Sequence, residues 1–107
     1  GLSRAAEMTF TAEPVRAPQA LEWGLVSKVC EPDDLLPVAH ELAGRIAKNP
    51  PRQLRMAKRL MREGLNNRLD TILELSAAYQ GMSHQTTDHD EAVTSLLEKR
   101  DANFTGE

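Results

Sequence analysis

Large rings are scarce in this chain. One tryptophan, one tyrosine and two phenylalanines make aromatics only 4% of 107 residues, so few bulky anchors are available to a core drawn from 40% hydrophobic residues. There is one cysteine, Cys30, which excludes an internal disulfide, and no Cys/His set has zinc spacing. Cys30 reads as a small buried hydrophobe of a reducing compartment rather than a reactive thiol. No apolar run approaches the ~18–20 residues of a bilayer span. The N-terminus has no basic segment leading into an apolar stretch, so no secretory signal is visible. A cytoplasmic setting is expected; an organelle stays open if the natural N-terminus lies upstream, and a first residue that is glycine rather than methionine suggests a cut or partial chain. Positive charge is not in excess either: the net charge is −3 and the pI about 5.6. Nucleic-acid binders need a basic face to displace counterions from phosphates, so neither nucleic acid nor a membrane is expected as a partner. The densest basic run, Arg52, Arg55, Lys58, Arg59 and Arg62, recurs at helical spacing and reads as a solvated helix face.

The usual signatures of an active site are missing too. There is no Gly-x-Ser-x-Gly elbow, and the six glycines are too scattered for a phosphate-cradling loop. His84, Asp88, His89, Asp90 and Glu91 are the only dense set of possible metal ligands. Their two histidines are five residues apart across a polar break, not at the i, i+4 spacing that aims two imidazoles at one ion. They read as hydrated residues at a helix start, and no metal is expected. His40-Glu41 is a lone pair on a helix and reads as solvent-facing; Glu7, Glu13, Glu22 and Glu41 could each be proposed as an acid or base, but nothing in the sequence supplies the environment such a role needs. No catalytic residue is assigned.

What the sequence does have is helical periodicity. Ser3 to Phe10 is a short helix with Ser3 as N-cap, broken by Pro14. Ala17 to Trp23 is a second, with Pro18 in its first turn and Gly24 as the left-handed stop. Leu25 to Val29, with β-branched residues at Val26 and Val29, reads as a short strand. Asp33 or Asp34 opens a third helix with Pro37 in its first turn; Leu35, Val38, Ala39, Leu42, Ala43, Ile46 and Ala47 form one apolar stripe. After Asn49-Pro50-Pro51 a fourth helix runs to about Glu63, with Leu54, Ala57, Met61 and Leu65 on one face.

The fifth helix is apolar on two sides, Leu69, Ile72, Leu73, Ser76 and Ala77 against Leu75, Tyr79 and Met82. It should therefore be either deeply buried or in touch with two neighbours, the second of which can be another subunit. Thr87 or Asp88 caps a sixth, with Asp90 and Glu91 completing a capping box and Ala92, Val93, Leu96 and Leu97 facing inward. The expected fold is mainly α, about six helices with one short strand, as a single helical domain over residues 1–107.

The stretch "LSRAAEMTFTAEPVRAPQALEWGLVSKV" resembles the segment that follows the catalytic core in enoyl-CoA hydratase/isomerase (crotonase) proteins, through Ala5-Ala6-Glu7, Thr11-Ala12, Ala17, Ala20, Gly24-Leu25-Val26 and Val29. Further along, Asn49, Pro50 and Lys58 resemble the family's N-P…K helix. Asp88, Glu91-Ala92, Glu98-Lys99-Arg100, Phe104 and Gly106 resemble its C-terminal signature. Two departures stand out: the usual Thr-Gly is Thr11-Ala12, and Leu96 stands where members often have Phe. The matches span nearly the whole chain but only the C-terminal part of a family member.

The resemblance implies the C-terminal helical domain of the crotonase fold, with a repeated ββα core upstream that carries the catalytic carboxylates and the oxyanion-hole N–H groups. It implies an acyl-CoA substrate of fatty acid metabolism, no cofactor beyond the coenzyme A of that substrate, and a homo-oligomer, a trimer or dimer of trimers. Lys99 would approach the adenine–phosphate end of coenzyme A bound to a neighbouring subunit, Leu96 would line the same site, and Phe104 would pack against the coenzyme A edge or against a neighbour. Lys99 also reads as a solvated helix-end charge, Leu96 as core packing, and Arg100 as the partner of a carboxylate. A different class of reading, a free-standing helical interaction module without catalysis, remains beside the enzyme reading.

Overall fold

The computed structural model describes all 107 residues, Gly1–Glu107, and contains six α-helices, one 3-10 turn and no strand. The chain divides into two compact units, Gly1–His40 and Glu41–Glu107.

In the first unit α1 spans Leu2–Thr11 and α2 spans Ala17–Glu22. Gly1 rather than Ser3 is the N-cap of α1, and no side-chain bond is made there. Helix α1 closes on Ala12 in a left-handed conformation (φ 53°), its N–H donating to the Met8 carbonyl. Helix α2 ends as the glycine predicts: Gly24 has φ 72°, its N–H donates to Leu21 O, and the Leu25 N–H donates to Ala20 O at 2.8 Å. These two bonds form a Schellman closure, which satisfies carbonyls that the helix itself leaves unpaired. The Arg4 guanidinium lies 5.3 Å from the Trp23 ring centre, within cation–π range.

Leu25–Val29, expected as a short strand, is not one. A strand exists only through a ladder to a neighbour, and no other segment here is extended into a pair; Leu25, Val26 and Val29 are 49%, 41% and 36% exposed. Asp33 and Asp34 lie inside a 3-10 turn, Pro32–Asp34, that leads directly into α3, Leu35–Ala47. Helix α3 crosses the division between the units.

In the second unit the Asn49 side-chain amide donates to the carbonyls of Arg45 and Ile46 and closes α3. Pro50 and Pro51 then start α4, Pro51–Glu63, where a missing N–H costs nothing. Helix α4 packs against α5, Leu69–Ser83. The half-buried residues on α4 are chiefly Gln53, Leu54, Met56 and Leu60, while Met61 and Leu65, expected on the covered face, are exposed. On α5 one face is covered by Ile72, Leu75, Ser76 and Tyr79; Leu69 and Leu73 stay open.

Helix α6, Thr87–Glu98, reverses the expectation more sharply. Of the residues expected inward, Ala92 is half-buried, but Val93, Leu96 and Leu97 are 46%, 78% and 77% exposed, and the rest of the covered face is polar, Asp88, Glu91 and Ser95. Periodicity locates an apolar face but does not say whether this chain holds its cover. No apolar residue anywhere in the chain is fully buried; the three buried residues are Thr86, Asp88 and Ser95.

Candidate functional site

The residues singled out for ligand contact all lie at or beyond the end of α6, so the helix's own ends define the site. Its N-cap is Thr86, one residue earlier than expected. The Thr86 Oγ1 accepts from the His89 N–H at 3.1 Å and from Gln53 Nε2 at 3.2 Å, and donates to Ser83 O at 2.7 Å. Thr87 and Asp88 are thereby freed from capping and turn to the tail. Thr87 Oγ1 donates to Glu107 O at 2.9 Å. Asp88, 1% exposed, accepts from the N–H groups of Thr105 and Gly106 at 2.7 and 2.9 Å.

One turn along the same face, Glu91 receives Arg100 in a two-pronged pair: Nη1 to Oε1 at 2.6 Å and Nη2 to Oε2 at 2.7 Å. It also accepts from the Asn103 N–H at 2.7 Å. Glu98 takes the Arg100 Nε at 2.6 Å. The Arg100 guanidinium first, and the Asn103 N–H second, pull the Glu91 carboxyl down from its ordinary 4.5 to about 2. The same carboxylates raise the Arg100 pKa. The expected pairing of Arg100 with a carboxylate is therefore present, twice over.

At the C-terminus of α6, Lys99 takes the left-handed conformation, φ 55° and ψ 42°. Its N–H donates to Leu96 O and the Arg100 N–H to Ser95 O at 3.0 Å, a second Schellman closure with lysine where glycine is usual. A side chain in that region costs roughly 1–2 kcal/mol, and such strain persists only where surrounding contacts impose it.

Leu96 and Lys99 thus stand together on an exposed helix end. Phe104 is half-buried on a separate surface, a cleft of about 410 Å³ that it lines with Ala47, Lys48, Pro51 and Leu54; neither Leu96 nor Lys99 lines it. Gly106 (φ 89°) brings the tail so close to α4 that an added Cβ would meet Pro51 Cγ at 3.0 Å. The role of Asp88 and Glu91 as holders of the tail was not legible as such. Their three-residue spacing looks like part of a capping box, and only the fold shows that the chain beyond Lys99 doubles back on them.

The two histidines of the polar break do meet, with rings stacked at 4.6 Å and 28°. No group of three or more potential ligands is arranged to hold a metal ion. No helix is long and apolar enough to cross a membrane.

The family model described as enoyl-CoA hydratase/isomerase matches residues 1–107. The chain is 36% identical over 104 residues to the crotonyl-CoA hydratase of Syntrophomonas wolfei, covering 97% of this chain and 40% of that protein. It is 33% identical over 106 residues to the 1,2-epoxyphenylacetyl-CoA isomerase of Escherichia coli, with 99% and 40% covered. Among solved structures it is similar to the enoyl-CoA hydratase of Bacillus anthracis, with a TM-score of 0.88, 36% identity, and 97% and 40% of the two chains covered. The chain spans about 40% of the length of the curated relatives it matches.

Proposed function

The chain belongs to the enoyl-CoA hydratase/isomerase family, and from that premise we propose that it is the C-terminal helical part of an enzyme acting on acyl-CoA thioesters, serving trimer assembly and coenzyme A binding while the catalytic carboxylates stand outside it. The observation that carries this reading is the state of its apolar side chains. None is fully buried, and eighteen large ones are exposed, among them Leu35, Leu42 and Ile46 of α3, Leu69 and Leu73 of α5, and Leu97 of α6. Stripes of this size are interaction surfaces in a folded protein. A free-standing helical module would need a core of its own, and the exposed stripes weigh against it.

In the proposed enzyme two backbone N–H groups of the upstream core stabilise the oxyanion that forms at the thioester carbonyl, a term worth about 3–4 kcal/mol per donor in comparable sites. A glutamate or aspartate there moves the proton. The contribution of these 107 residues is to the other end of the substrate. Lys99 carries an ammonium on a flexible stem, a good partner for phosphate. It has no ion pair of its own in the chain, since the neighbouring Glu98 is taken by Arg100. Leu96 supplies an apolar wall one turn earlier, and Phe104 an edge contact. Matches to both a hydratase and an isomerase leave the reaction class open between them.

Two comparisons test the division of labour. The 107 residues alone should show no hydration of crotonyl-CoA, whereas the full-length protein turns over an acyl-CoA; activity from the short chain refutes the reading. In the full-length protein Lys99→Met should raise KM for a coenzyme A thioester about 3- to 10-fold, the size of one lost solvent-accessible hydrogen bond. KM for the same acyl group on pantetheine, which lacks the nucleotide, should not move. Equal effects on both thioesters would remove Lys99 from the nucleotide site.

A further inference from the structure

Asp88 and Glu91 lie one turn apart on the covered face of α6, and neither serves to start the helix, because Thr86 does. Both are turned instead on the chain that follows. The main-chain N–H of Asn103 donates to Glu91 and that of Thr105 to Asp88, each at 2.7 Å, so the backbone is gripped on both sides of Phe104. The Gly106 N–H is held by the second oxygen of Asp88, at the point where the tail crosses Pro51. Arg100, the residue after Lys99, is fixed in the fork of Glu91 and braced by Glu98. With Arg100 neutralised in this way, the adjacent left-handed Lys99 keeps its ammonium outside any ion pair.

We infer that Asp88 and Glu91 are positioning residues, a pair of carboxylates that fixes the chain from Arg100 to Gly106, directly after Lys99, and so sets the places from which the Lys99 ammonium and, on its separate surface, the Phe104 ring meet the coenzyme A of the substrate. This rests on the ligand reading above and extends it from the groups that touch the ligand to the groups that hold them. The logic is that of a preorganised site. A lysine side chain loses much rotational freedom on binding, so a fixed Cα and a strained but settled backbone leave less to be ordered when the phosphate arrives.

The test uses the full-length enzyme and two thioesters of one acyl group, on coenzyme A and on pantetheine. Asp88→Asn and Glu91→Gln should each raise KM for the coenzyme A thioester about 3- to 10-fold, with kcat and the pantetheine KM within about twofold of the parent. In a Lys99→Met/Phe104→Ala background the same substitutions should add nothing to the discrimination, because they act through those two side chains. Parallel changes for both thioesters, or effects that add in full to the double variant, would make the carboxylates ordinary structural groups and overturn the inference. If the double variant itself leaves the discrimination unchanged, the coenzyme A reading falls and the inference with it. If it changes discrimination while Asp88→Asn and Glu91→Gln do not, only the positioning role falls. Should Asp88→Asn fail to fold, Glu91→Gln and Arg100→Gln break the more exposed pair from its two sides, and the same comparison decides.

Discussion

Glu91 and Asp88 share a face of α6 but differ in chemistry. Asp88 is enclosed and holds backbone amides; Glu91 faces a guanidinium. Because the Glu91 pKa falls from 4.5 to about 2 on folding, the folded state favours its ionised form. The stability this adds is fully present above about pH 4.5 and is lost as pH falls through about 2. The raised Arg100 pKa adds no change in that window, since the guanidinium is charged throughout it. Thermal unfolding of the parent and of Glu91→Gln should therefore differ most above pH 5 and converge as the pH approaches 2; a gap that stays constant over that range would exclude the linkage. Left-handed backbone is the other residue-scale feature. Ala12 and Lys99 both have positive φ, and Ala12 stands where the family pattern usually has glycine, the residue that takes this conformation without steric cost.

The helix ends of this chain were largely readable, because capping depends on local chemistry. Gly24 as the stop of α2, Pro51 at the start of α4 and Pro37 in the first turn of α3 all fall where composition put them. The start of α6 was displaced by one residue. Thr86, Thr87 and Asp88 all carry a suitable oxygen, and the choice went to Thr86, which also engages Gln53 and Ser83. Thr86→Ala should cost about 1–2 kcal/mol, the upper range for a cap, since it removes the side-chain oxygen that serves the His89 N–H, Gln53 and Ser83 together. Thr86→Ser, which keeps the oxygen, should recover most of it. Urea unfolding of the three proteins measures this directly, and an equal loss in Thr86→Ser would shift the cause from the cap to packing of the methyl group.

At the scale of the whole molecule the two compact units contain helices with well-formed ends and no apolar core. In the proposed assembly the open stripes are covered, and single truncations can detect that cover. Leu97 is 77% exposed in this chain. If it stays exposed in the full-length protein, Leu97→Ala should change stability by less than about 0.5 kcal/mol. If a core or a neighbouring subunit covers it, the loss should reach about 2–5 kcal/mol. The expected outcome is the larger loss, read by the denaturant midpoint of the full-length protein.

The order of the six helices, most of their boundaries and the family followed from the sequence alone, since caps, proline and glycine positions and the family signature are local in the chain. The covered faces did not follow. On α4 and α6 the expected apolar stripe and the covered surface coincide only in part, at Leu54 and Ala92, because burial depends on which neighbour is present and periodicity does not report that. The strand at Leu25–Val29 did not form for the same reason: extended backbone becomes a strand only beside a partner. The tertiary structure alone decided that Asp88 and Glu91 grip residues 100–106, because that contact joins groups 9 to 18 residues apart, and chain reversal after a left-handed Lys99 is what brings them together.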